Sequence, residues 1–180
     1  MHRLIRSIEY LVIMCADRKP GLPLLANERT RVLILGTLPG DHSIKTGTYY
    51  IDKSNRFWII LDHVLNTTLT SSEPLKRGQK LLEYGIGIWD VYESAMRSGS
   101  RDSEILQFEL NDFTALKLKA PNIRLVCFNG TKAWEHHDQL EKLGYAVKLL
   151  PSSSGANNGR HEERLALWKS VLSDALQSNN

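Results

Sequence analysis

Four segments of this chain gather residue types able to hold or recognise a polar ligand. The first, residues 36–54, carries the turn Gly36-Thr37-Leu38-Pro39-Gly40-Asp41 and the pair Tyr49-Tyr50, and runs into Ser54-Asn55-Arg56-Phe57-Trp58. It has the spacing of neither a Walker-type phosphate loop nor a dinucleotide-binding glycine turn, and taken alone it also suits a plain strand-to-helix connection. The last, Pro151-Ser152-Ser153-Ser154-Gly155-Ala156-Asn157-Asn158-Gly159-Arg160, is small and polar. Its amides and hydroxyls suit phosphate oxygens, and the same composition makes an ordinary surface loop. No Gly-x-Ser-x-Gly elbow exists to activate any of the serines. Between these lie residues 90–100, headed by Asp90, and the pair Asn129-Gly130, where Asp and Asn serve equally well as turn or cap residues.

The elements that must position these segments are legible from hydrophobic patterning. Residues 31–36 form an unbroken aliphatic run, as expected of a strand buried on both faces. Phe57, Ile60, Leu61 and Val64 fall on one side of a helix predicted over 56–65, and a second helix is predicted over 75–84. Residues 85–91 read as the second strand, followed by a polar stretch and a helix over 111–119. A third strand over 124–130, a helix over 132–143, a fourth strand over 145–150 and a helix over 162–176 complete the chain. Strands separated by helices imply right-handed crossovers and a parallel sheet covered on both faces. Ligands bind beyond the carboxyl ends of such strands, which is where all four polar segments fall.

Composition bounds the rest. The 180 residues are 42% hydrophobic, enough for one cored domain, assigned to residues 21–180 behind an extension over 1–20. Residues 23 basic and 20 acidic leave a formal charge of +3, which permits an anionic partner without demanding one. Cys15 and Cys127 are distant and lack metal-ligand spacing, so neither a four-cysteine cluster nor another metal centre is expected, and a reducing, cytoplasmic setting is. Arg3 and Arg6 precede the apolar run 10–16, too short to cross a bilayer and without a cleavage pattern. It reads as an extra helix, or as sequence upstream of a start at Met14. His136-His137 reads as solvated helix surface, since neighbouring helical residues diverge.

Taken together and in order, five motifs resemble the uracil-DNA glycosylase superfamily, most closely its hypoxanthine-DNA glycosylase branch. They are Leu33-Ile34-Leu35-Gly36-Thr37-Leu38-Pro39-Gly40-Asp41, Tyr49-Tyr50 through Asn55-Arg56-Phe57-Trp58, Gly87-Ile88-Trp89-Asp90-Val91, Phe128-Asn129-Gly130, and Leu150-Pro151-Ser152-Ser153-Ser154. The resemblance spans residues 21–176. It implies a three-layer α/β/α sandwich with a central, mostly parallel four-stranded sheet. It also implies a monofunctional, cofactor-free hydrolase of base excision repair, monomeric and nucleoid-associated at work, acting on double- or single-stranded DNA in which a deaminated base, hypoxanthine or uracil, is flipped out.

The same resemblance assigns roles. Tyr50, with Tyr49 beside it, is expected to stack on the flipped base, against the alternative that one or both tyrosines pack in the core. The superfamily's water-positioning place is here Leu38, and in the hypoxanthine branch that role moves to the asparagine before Arg-Phe-Trp, which is Asn55. Asn55 also suits a helix N-cap. Asp90 is expected to accept from the base's ring N–H and Asn129 to donate to its carbonyl, with Thr37 and Leu38 beside the base. Pro151, Ser152, Ser153, Ser154 and Arg160 are expected at phosphates, joined by His161, and Gly155, Ala156 and Asn157 in the space the base leaves. Relatives tend to have proline at Gly155 and His-Pro within the Asp52-Lys53-Ser54 segment, so an altered wedge and a looser loop before Asn55 are expected. Lys53 raises a Schiff-base alternative. The competing functions are a mismatch-type uracil or thymine glycosylase, a non-catalytic DNA-binding relative, and an enzyme of free nucleosides.

Overall fold

The computed structural model describes residues 18–155 and 160–177. The N-terminal apolar run with Cys15, and the Ala156-Asn157 pair, lie outside the described residues. Four strands, β2 (Val32–Gly36), β3 (Ile86–Asp90), β6 (Leu125–Asn129) and β7 (Ala146–Leu150), form one parallel sheet in the order β3-β2-β6-β7. β2 is buried along its whole length, because helices cover both faces of this central strand. Alternation sorts its side chains between two cores. Val32 and Ile34 join Phe57, Ile60, Leu61, Trp168 and Leu172 on one face, and Leu33 and Leu35 join Trp89, Phe113, Leu116, Phe128 and Leu140 on the other.

The first core lies under α2 (Phe57–Leu65), α3 (Pro74–Glu83) and the long α7 (His161–Gln177). The second lies under α4 (Leu116–Lys119), α5 (Thr131–Trp134) and α6 (His137–Lys142). A short α1 (Asp41–Thr46) follows the first glycine turn. The result is the expected α/β/α sandwich. Among the described residues no helix is long and apolar enough to cross a membrane.

Two departures from the sequence-based expectation bear on the site. The stretch after β3 is a second sheet, in which β4 (Tyr92–Arg97) pairs antiparallel with β5 (Ile105–Leu110) and with β1 (Arg18–Pro20). Its pattern escapes a period-two search because β5 is mostly exposed and the β4–β5 register shifts twice. The helix over 132–143 is broken into α5 and α6. At the break His136 is half-buried rather than solvated. Its Nε2 lies 3.0 Å from the Tyr92 hydroxyl, and His137 stacks on Trp134 with centroids 4.1 Å apart.

Candidate active site

Parallel register collects the polar strand ends. Gly36 lies abreast of Asp90, and Asn129 ends β6 abreast of Leu150, so the residues that follow all leave the sheet at one edge. The first loop is tied to this edge through its backbone, with Val91 N–H donating to Gly36 O at 2.8 Å and Tyr92 N–H to Thr37 O at 3.0 Å. Gly36 has no room for a side chain. A Cβ there would stand 2.8 Å from both Asp90 Oδ1 and the Tyr50 hydroxyl, so those two groups flank the space above it.

Three sequence-distant residues are joined by one hydrogen-bond chain. The Ser153 hydroxyl donates to Asn55 Oδ1 at 2.9 Å and accepts from Asn129 Nδ2 at 2.8 Å, while Ser153 N–H donates to Asn129 Oδ1 at 2.8 Å. Asn129 Nδ2 also donates to the Tyr50 hydroxyl at 3.2 Å. Backbone donors fix the amide orientations. Phe57 N–H donates to Asn55 Oδ1 at 3.0 Å, so that atom must be oxygen, and the Ser153 N–H does the same for Asn129. Asn55, one place ahead of the helix N-cap Arg56, thus accepts from the first residue of α2 through Oδ1, which is doubly engaged. The amide nitrogen is the atom it can offer outward.

Of the tyrosine pair, Tyr49 belongs to the core. Its hydroxyl donates to Leu22 O at 3.0 Å and its carbonyl accepts from Trp58 Nε1 at 3.1 Å. Tyr50 stacks one ring face on Phe57 with centroids 3.8 Å apart, and its backbone is held at φ 52°. Left-handed backbone at a bulky residue persists only where its surroundings over-determine it, and here stacking and the Asn129 bond do so.

Asp90 is 3% exposed, and its Oδ2 has no hydrogen-bond partner among the described residues. Burial, with the charge of Asp102 adding to it, pushes its carboxyl up to about 7 against the opposing Leu22 backbone and Arg97. An orphaned buried acceptor is expensive to maintain, and a donor brought by a ligand would satisfy it. Asp102 and Arg97 were not singled out in the sequence, since both lie in the stretch read only as polar. The Arg97 guanidinium, fully buried, donates to Leu38 O at 3.2 Å, to Pro39 O and to Gly99 O at 3.0 Å, pinning the first loop. Asp102, at the head of a 3-10 turn (Asp102–Glu104), accepts from the Thr37 hydroxyl at 2.6 Å. Leu38 packs in the second core.

The serine loop is anchored from α7, where Trp168 Nε1 donates to Pro151 O at 2.9 Å and Arg164 Nη1 to Ser152 O at 3.3 Å. Ser153, expected at the phosphates, is 0% exposed and turned inward. Ser154 N–H bonds Ser152 Oγ at 3.2 Å, and Arg160 is exposed beside Glu163. A Cβ at Gly155 would stand 2.6 Å from Ser54 O, which explains why glycine replaces the expected proline in this chain. Nor is the segment before Asn55 left open. The Asp52 carboxylate accepts from Ser54 N–H at 2.8 Å and from its hydroxyl at 2.6 Å, closing a turn without proline. Lys53 lines an open groove of about 760 Å³ with His42, Thr46, Thr48, Ile51, Asp52, Pro74 and Leu75, none of which belongs to the strand-end network.

Comparison with known proteins agrees with this geometry. The family model of the uracil DNA glycosylase superfamily matches residues 23–176. The chain is 42% identical over 154 residues to a hypoxanthine DNA glycosylase of Methanosarcina acetivorans, covering 86% of this chain and 98% of that protein. It is 41% identical over 151 residues to a hypoxanthine DNA glycosylase of Methanosarcina barkeri, covering 84% and 96%. A solution NMR structure from Methanosarcina acetivorans, described as a candidate uracil DNA glycosylase, superimposes with TM-score 0.80 at 41% identity, covering 88% of this chain and 98% of that one.

Proposed function

The chain belongs to the uracil DNA glycosylase superfamily, and we propose that it excises hypoxanthine from DNA by hydrolysing the N-glycosidic bond of a flipped deoxyinosine. The observation that carries this is the chain Asn55–Ser153–Asn129–Tyr50, which sets an amide and an aromatic ring at the sheet edge where the Asp90 carboxylate flanks Gly36.

Each group has a part in the reaction. A purine seated beside Tyr50 presents a ring N–H that satisfies Asp90 Oδ2, the ionised carboxylate accepting. Asn129, its amide committed to Ser153 and Tyr50, holds the Tyr50 hydroxyl in place, and Thr37 and Leu38 close the side of the pocket. Asn55 Nδ2 donates to the oxygen of a water and holds it for attack on C1′. As the bond to the base breaks, the sugar becomes cation-like, and fixed dipoles and carboxylates at the sheet edge stabilise it. Ser152, Ser154, Gly155 and Arg160, with Pro151 fixing the loop's base, meet the flanking phosphates.

The test uses duplex oligonucleotides carrying a single deoxyinosine, deoxyuridine or mismatched thymine, assayed for alkali-labile sites with the wild type and Asn55→Ala. Deoxyinosine is expected to be excised, and Asn55→Ala to slow excision on the order of a hundredfold or more, the scale of removing one pre-aligned polar group. No alkali-labile product on any duplex would refute the assignment. Strand breaks without alkali would point to Lys53 instead.

A further inference from the structure

We infer that Asp102 is a further catalytic residue of this site, its carboxylate receiving a proton from the water that attacks C1′. This rests on the glycosylase assignment above and deepens it. The attacking water needs an acceptor as well as a holder, and the amides cannot supply one. Asn55 Oδ1 already accepts from Ser153 Oγ at 2.9 Å and from Phe57 N–H at 3.0 Å, which uses both of its lone pairs. In Asn129, Oδ1 accepts from Ser153 N–H, and both amide hydrogens go to Ser153 Oγ and the Tyr50 hydroxyl. Leu38 has no polar atom, and Asp90 Oδ2 is matched to the base's N–H.

Asp102 is a carboxylate tied directly to the first loop. The Thr37 hydroxyl donates to its Oδ1 at 2.6 Å, which sets it against the residue between Gly36, where Tyr50 and Asp90 meet, and Leu38. Its charge reaches both pocket groups, Asp90 and Tyr50. Thr37 touches it, and the ionisable groups within electrostatic reach are Tyr50 from the first loop, Asp90 from β3, Tyr92 and Arg97 from β4, and Lys132 from α5. Burial raises its pKa, while Thr37, Arg97 and Lys132 work to keep it ionised. Arg97 thus does two things at once, fixing the loop backbone and balancing the carboxylate.

The C1′–N9 bond breaks and its electron pair leaves with the purine, which takes a proton from solvent. The water oxygen bonds to C1′, and one of its protons passes to Asp102, which returns it to solvent before the next turnover.

The experiment measures single-turnover excision of deoxyinosine at saturating protein across the neutral pH range, for wild type, Asp102→Asn, Asp102→Glu and Thr37→Val. Binding to a duplex carrying uncleavable 2′-fluoro-deoxyinosine is measured in parallel. Asp102→Asn is expected to slow excision on the order of a hundredfold or more, the span of general-base catalysis, with binding held within about twofold. Asp102→Glu should recover part of the rate. Thr37→Val, lacking the donor that favours the ionised form, should move the acidic limb of the rate profile to higher pH. The inference is overturned if Asp102→Asn excises at the wild-type rate, if it loses binding as steeply as rate, or if Thr37→Val leaves the acidic limb in place. A wild type that excises nothing from any duplex overturns the glycosylase assignment instead.

Discussion

Removing one hydroxyl, in Ser153→Ala, should cost both stability and catalysis. The Ser153 Oγ is wholly buried and makes two hydrogen bonds, to Asn55 Oδ1 at 2.9 Å and from Asn129 Nδ2 at 2.8 Å. Each contributes about 0.5–1.5 kcal/mol net, and the Asn129 N–H left without its partner costs about 1–3 kcal/mol. Because these terms overlap, the expected loss is about 2–3 kcal/mol. For a chain of 180 residues that lowers the melting temperature by about 4–12 °C. Asn55 keeps its bond to Phe57 N–H but loses the contact that stops its amide from rotating, so excision should slow by about tenfold to a hundredfold. Calorimetric melting and single-turnover excision of deoxyinosine measure the two effects. A hydroxyl serving a DNA phosphate would behave differently, leaving the melting temperature intact and weakening DNA binding in a salt-dependent way. That second pattern would refute the inward-facing role of Ser153.

Two further perturbations act on the same edge. Gly36→Ala introduces a Cβ 2.8 Å from Asp90 Oδ1 and the Tyr50 hydroxyl. Both are ends of side chains and can shift, so the fold should lose only about 1–2 kcal/mol by this overpacking while affinity for an uncleavable deoxyinosine duplex falls tenfold or more. Unchanged affinity would show that neither group contacts the base. Asp90 ionises at about 7 in the folded chain, above the ordinary carboxylate range of the unfolded one. The unfolded chain therefore releases this proton first as pH rises, and folding stability from this group falls between about pH 4 and 7 and is level above. Asp90→Asn should abolish that decline, so its stability relative to wild type improves from pH 4 to pH 8 in urea titrations, while base binding is lost. A constant stability difference across that range would contradict the buried-carboxyl account.

How much was legible in advance differs between fold and site. The four parallel strands were, because a strand buried on both faces must be continuously aliphatic, as in Val32-Leu33-Ile34-Leu35. Asn55, Tyr50, Asp90 and Asn129 were also marked out, the loops that carry them by the strand-end rule and their roles by the resemblance to the uracil-DNA glycosylase superfamily. The β4–β5 hairpin was not, because an exposed, twice-shifted pair carries no clean alternation. The break at His136 was equally hidden, and the residue there meets Tyr92, 44 positions earlier.

By itself, then, the sequence determined the layered architecture and the sheet edge at which the chemistry must lie, since both follow from local periodicity and chain order. Tertiary structure alone decided which atoms act there. Ser153 meets Asn55 across 98 positions and turns inward, and Asp102 reaches Thr37 across 65 positions from a hairpin outside the parallel sheet. No local pattern encodes such contacts, because they depend on where two separately folded loops come to rest against each other.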